Sequence, residues 1–140
     1  MAWKANTTAG SIAAREHHDV VRCLANYCYL NYYQVKDITN EPPGYPGYLS
    51  LEKVYSFDPV PADLNKEEAI HIIGAEACVW TEYISNTSNL EYIVFPRICA
   101  MAEVEWSQAE KKDFSGLKER LETEFQRLKL YKINFCDHPY

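Results

Sequence analysis

The sequence predicts an α/β fold carried by a parallel β-sheet, and a sheet too small to close on its own. Two apolar runs read as strands, residues 19–24 (DVVRCL) and 70–80 (IHIIGAEACVW). The second is apolar apart from His71 and Glu76, the pattern of a strand covered on both faces. Helical patterns alternate with these runs, the order expected of parallel β-α units. A parallel sheet of two or three strands leaves open edges and a half-covered core, so the chain reads as a piece of a larger fold.

Each element has a local reason. Residues 8–18 (TAGSIAAREHH) are alanine-rich and read as a short helix leading into the first strand. A tyrosine cluster follows, NYCYLNYYQ at residues 26–34. Residues 40–50 (NEPPGYPGYLS) hold three prolines and two glycines and read as an irregular loop. Residues 49–55 suit a short helix, and 57–65 (FDPVPADLN) return to loop. Residues 89–106 (NLEYIVFPRICAMAEVEW) read as a helix in which Pro96 makes a kink or a new first turn. Asp113 is the expected cap of the last helix, where Leu117, Leu121, Phe125 and Leu128 recur on one face. Residues 113–140 then form the closing helix and tail of the same single domain, 1–140.

Composition narrows the function. The chain is 47% hydrophobic and 24% charged, which fits a globular domain rather than a disordered segment. Its net charge of −6 argues against a nucleic-acid partner, because phosphate binding needs a basic surface. No apolar stretch reaches the ~18 residues of a membrane span, and no long apolar leader opens the chain. The five cysteines are irregularly spaced with no CxxC pair, so they read as buried free thiols. No histidine spacing suits a metal, so neither a metal site nor a cofactor is expected.

The residues that suggest chemistry lie at the end of the second apolar run. Trp80 and Glu82 are two apart and would share one face of a strand. An indole covers the apolar C–H face of a sugar while a carboxylate accepts hydroxyl protons; the plainer reading is a core tryptophan beside a solvated glutamate. The tyrosine cluster lines an amphipathic ligand site or fills a core. His71 reads as a satisfied core histidine, Arg97 as a structural pairing residue, and Glu103 and Glu105 as helix-surface or salt-bridge groups.

Taken in order, HHDVVRCLANYCYLNYYQ, SLEKVYSFDPVP, HIIGAEACVWTEYI and NLEYIVFPRICAMAEVEWS resemble glycoside hydrolase family 20, the β-N-acetylhexosaminidases. The resemblance runs from residue 1 to about 107. It implies the C-terminal part of a (β/α)8 TIM barrel, with residues 1–3, 19–23 and 70–80 as the sixth, seventh and eighth strands. It implies an exo-acting enzyme that releases terminal N-acetylhexosamine through substrate-assisted retaining hydrolysis. Tyr29 would hold the substrate acetamido oxygen, Trp3 and Trp80 would wall the acetamido pocket, and Glu82 would grip O4. Asn31 stands where the family usually carries Asp, which implies tolerance of a 6-sulfate. The family's catalytic Asp-Glu pair is absent, since no Asp-Glu dipeptide occurs in the chain. The expected partners are a glycan and the missing N-terminal part of the barrel, and the family suggests an extracytoplasmic compartment. A non-catalytic carbohydrate-binding or structural remnant is the alternative.

Overall fold

Three parallel strand segments lie side by side in chain order in the computed structural model, which describes residues 1–3 and 8–140. The first is a single bridge at Ala2, whose N–H donates to the Val21 carbonyl and whose carbonyl accepts from Cys23, both at 2.9 Å. The second, β1 (Val20–Arg22), pairs in parallel with the third, β4 (Ile72–Ala75). Helix α1 (Thr8–Arg15) makes the first crossover and packs against β1.

Between β1 and β4 the chain folds over the C-terminal end of the sheet. It forms α2 (Ala25–Cys28), β2 (Tyr32–Tyr33), β3 (Tyr45–Tyr48), α3 (Leu51–Tyr55) and α4 (Lys66–Ala69). Helix α4 starts on a reciprocal cap, in which the Asn65 side chain accepts from Glu68 N–H and the Glu68 carboxylate accepts from Asn65 N–H. After β4 come α5 (Thr87–Val94), α6 (Arg97–Trp106) and α7 (Phe114–Leu130). The core lies on the helical side of the sheet, where Leu30, Leu49, Leu51 and Val54 meet Met101, Leu117 and Leu121. Asp113 caps α7 by accepting from Ser115 N–H, and the expected face of Leu117, Leu121, Phe125 and Leu128 is the buried one.

Several expectations are corrected. The apolar run at 70–80 is not one long strand covered on both faces. Its strand is only Ile72–Ala75, while Ile70 caps α4 and the register slips between Val20 and Val21. Ile70 is 72% exposed and Ile73 61%, so the edge of β4 faces outward. Gly74 sits at φ +150°, a conformation that side-chain-bearing residues seldom adopt. Cys78 keeps one parallel bridge, to Tyr29, and Trp80 and Glu82 lie beyond the strand.

The proline-rich stretch contains a strand. β3 pairs with β2 as Tyr32↔Tyr45 and Tyr33↔Tyr48, and the register irregularity between them accommodates Pro46, which has no N–H to offer. Gly47, at φ +156°, lets β3 press against Tyr32, since a Cβ there would sit 3.1 Å from that ring. Pro96 divides residues 87–106 into two helices and stands as the N-cap of α6, the second of its expected roles. His71 is partly exposed rather than in the core, and its ring bonds Asp19 and His17 at 3.2 Å each. Glu103 pairs with Arg120 at 2.7 Å.

Candidate functional site

A cleft of about 410 Å³ opens where the strand segments end, lined by Trp3, Ala25, Tyr29, Asn31, Tyr32, Tyr45, Trp80 and Glu82. All five residues singled out in the sequence therefore lie around one cavity. They arrive from three pieces of backbone: Trp3, the Tyr29–Asn31 segment and the Trp80–Glu82 segment. Trp3 ends the first strand segment, and its carbonyl accepts from Ala25 N–H at 3.2 Å, joining it to α2. Tyr29 is the C-cap of α2. Its neighbour Leu30 donates to the Cys78 carbonyl at 2.8 Å, and Cys78 N–H donates to Cys28 at 2.9 Å, so the two strand exits are stitched together. The Asn31 carbonyl accepts from Tyr45 N–H at 2.9 Å, which seats β3 beside β2.

The rings form a continuous wall. Tyr29 lies 6.2 Å from Trp80 and 6.0 Å from Tyr32, and Tyr32 lies 5.7 Å from Tyr45, all tilted. Trp3 and Trp80 are about half exposed, which leaves flat aromatic surface facing the cleft. Tyr29 is 8% exposed, and among the described residues its hydroxyl has no hydrogen-bond partner of good geometry, although the Trp80 indole lies beside it. Burial raises the phenol above its ordinary pKa, with the Trp80 N–H offsetting part of that shift. Tyr29 is thus a protonated donor at neutral pH whose proton no described residue accepts. The Asn31 side chain is buried, and its Oδ1 also lacks a partner among the described residues. Two orphaned polar atoms beside an aromatic wall are what a polar, ring-shaped ligand completes.

Arg97 fixes the floor beneath this wall. Fully buried, it donates from Nη2 to the carbonyls of Leu30, Tyr32 and Ile93 and from Nη1 to Leu49. The first two carbonyls flank Asn31. The sequence reading of Arg97 as a structural pairing residue meets carbonyls here rather than a carboxylate.

Tyr45 was missed in the sequence because its stretch read as irregular loop, and Ala25 gave no signal. Tyr32 belonged to the tyrosine cluster without being distinguished within it. Among the described residues Glu82 is the one carboxylate lining the cleft, so the chain brings no pair of carboxylates together there.

The model of the glycosyl hydrolase family 20 catalytic domain matches residues 1–109. The chain belongs to glycoside hydrolase family 20. A β-hexosaminidase of Porphyromonas gingivalis is 35% identical over 136 residues, covering 96% of this chain and 17% of that protein. The structure of an exo-β-N-acetylglucosaminidase of Vibrio harveyi, solved with N-acetylglucosamine, superimposes with a TM-score of 0.82 at 33% identity, over 96% of this chain and 21% of that one. The β-N-acetylhexosaminidase of Streptomyces coelicolor gives a TM-score of 0.78 at 29% identity, over 92% of this chain and 26% of that one. The chain thus spans a fifth or less of the length of the curated relatives it matches first. It forms part of the TIM-barrel fold of family 20. No helix among the described residues is long and apolar enough to cross a membrane.

Proposed function

We propose that the protein carrying this chain is an exo-acting β-N-acetylhexosaminidase and that the chain supplies the acetamido half of its active site. The observation that carries the reading is the convergence of Trp3, Tyr29, Asn31, Trp80 and Glu82 on one cleft, with the buried Tyr29 hydroxyl proton taken by no acceptor among the described residues. The substrate acetamido oxygen attacks the anomeric carbon and forms an oxazolinium ring, which water then opens with net retention. Tyr29 donates to that oxygen and holds it in near-attack geometry. Trp3 and Trp80 enclose the acetamido methyl and the sugar face, and Glu82 accepts from the O4 hydroxyl. Residues 1–3, β1 and β4 then correspond to the sixth to eighth barrel strands.

The general acid and the carboxylate that orients the amide come from elsewhere in the barrel. Ile73 of β4 is 61% exposed and the nearby Trp106, at the end of α6, is 90% exposed, which supports a further barrel segment docking there. The 140-residue chain by itself is expected to show no hydrolysis of an aryl N-acetyl-β-glucosaminide, because a general acid alone contributes ~10²–10⁴-fold. The reading is tested on the intact protein, which should release N-acetylhexosamine from that substrate with the β-anomer as first product by NMR. No turnover, or an inverted product, would overturn it. An extracytoplasmic location is consistent with the resemblance and is proposed on that ground alone.

Asn31 extends the proposal to the glycan. An Asp at this position would repel a 6-sulfate, since two unit charges ~4 Å apart cost about 4 kcal/mol at an effective dielectric of 20. Asn31 carries no charge and has an NH2 to donate. The enzyme is therefore expected to accept 6-sulfo-N-acetylglucosaminides. Asn31→Asp should lower the kcat/KM ratio of sulfated to unsulfated substrate by at least ~10-fold, the equivalent of about 1.4 kcal/mol. An unchanged ratio would remove Asn31 from the sulfate argument.

A further inference from the structure

Beneath the cleft the two strand exits bring together residues far apart in sequence. Cys23, just past β1, and Cys78, just past β4, have their Sγ atoms 2.9 Å apart. Glu76 joins them, and ligand atoms of Cys23, Glu76 and Cys78 all lie within 4.8 Å of one another. Both cysteines are free thiols. The irregular cysteine spacing, which argued against a metal site, hides a pair that only the parallel β1–β4 pairing creates.

We propose that Cys23, Cys78 and Glu76 form a binding site for a single thiophilic divalent cation of the Zn²⁺ or Cd²⁺ type at the floor of the glycan cleft. Two sulfurs and one carboxylate oxygen suit such an ion, with water in the remaining tetrahedral position. A Zn–S bond of ~2.3 Å at a tetrahedral angle needs sulfurs roughly 3.8 Å apart. The thiols must therefore part by less than about 1 Å, a side-chain adjustment. Binding exchanges protons for the ion: two Cys–SH and M²⁺ give M(S–Cys)₂ and two H⁺, with no change of oxidation state.

Thiols are protonated at neutral pH in the ordinary case, and the ion must displace both protons, so affinity climbs with pH, by up to ~100-fold per pH unit. Occupancy also reaches the cleft. The Cys78 backbone is bonded to Cys28 and Leu30, on either side of Tyr29, and Trp80 follows two residues later. A bound ion is therefore expected to inhibit glycan turnover.

The test uses the intact protein, reduced and metal-free, titrated anaerobically with Cd²⁺ and followed by the sulfur-to-cadmium charge-transfer band. One ion per chain should bind, more tightly at pH 8 than at pH 7, and Zn²⁺ should displace it. Cys23→Ser and Cys78→Ser should each weaken binding by ~100-fold or more, beyond what loss of an outer-shell partner costs. Glu76→Gln should weaken it by ~10-fold, and Cys136→Ser should leave it unchanged. Glu76 is exposed in this chain, so its variant keeps the test open if a buried cysteine variant fails to fold. Absence of the band, a band that survives loss of both Cys23 and Cys78, or affinity independent of pH would overturn the proposal. So would a Cys23–Cys78 disulfide in freshly isolated protein. The inhibition arm rests on the hydrolase reading, whereas the titration does not, so the two ideas fail separately.

Discussion

Tyr29→Phe in the intact protein lowers kcat by about 10²–10³-fold and leaves KM within a few-fold of its original value. The expected size, about 2.7–4 kcal/mol, is a fraction of the ~7–11 kcal/mol that near-attack positioning can contribute. The split between kcat and KM follows from what the hydrogen bond does. The acetamido oxygen gives up electron density as it bonds the anomeric carbon, so the bond does not stabilise developing negative charge. It holds the oxygen in the attacking geometry, and losing it lets the bound substrate sample unreactive orientations, which lowers kcat more than it weakens binding. Among the described residues no acceptor takes the hydroxyl proton, so it is available to donate in this role. Removing one oxygen from a buried ring that keeps its contacts with Trp80 and Tyr32 leaves the wall standing. Steady-state kinetics on an aryl N-acetyl-β-glucosaminide decides the matter. A variant with near-wild-type kcat would take Tyr29 out of the reaction, and a pure rise in KM would reduce it to a binding residue.

How much of this was legible in the sequence follows the range of the interactions involved. The last helix was read from its apolar face and its Asp113 cap because both signals are local, and the structure keeps both. The parallel pairing was read from alternating patterns, and β1 pairs with β4 as that order implies. The extent of β4 was not legible. An apolar run records what a strand would cover if neighbours lay on both faces, and here one neighbour is absent, leaving Ile73 open. Strand β3 was hidden because Pro and Gly mark turns by themselves, whereas Tyr45 and Tyr48 pair only through a register irregularity opposite Tyr32 and Tyr33. Trp80 and Glu82 reach the same cleft although the strand alternation that joined them on paper stops at Ala75. The Cys23–Cys78 contact was invisible for the same reason as β3: it exists only once two distant segments lie side by side.

The largest effect on stability is expected at a residue outside the cleft. Arg97→Met should leave the intact protein insoluble or lower its Tm by on the order of 10 °C, at ~2–4 °C per kcal/mol for a domain of this class. Arg97 opens α6, is fully buried, and is held by the four carbonyls of Leu30, Tyr32, Leu49 and Ile93. Burial pulls its pKa down to about 9, which still leaves it charged at neutral pH. Methionine matches much of the stem and supplies no donor, so the carbonyls lose their shared partner inside the core. An orphaned buried acceptor costs ~1–3 kcal/mol, and several together approach the ~5–15 kcal/mol of a whole domain. Arg97→Lys separates charge from geometry. Lysine keeps the cation and three donors but lacks the planar fork that reaches two sides at once. That variant should fold with an intermediate Tm and an altered cleft, because the Leu30 and Tyr32 carbonyls that it must hold flank Asn31. Its signature is a raised KM with a smaller change in kcat, alongside the calorimetric shift. A methionine variant with a Tm within ~2 °C of the original, less than one kcal/mol on this scale, would show that the carbonyls find other donors and that Arg97 is not the anchor of the cleft.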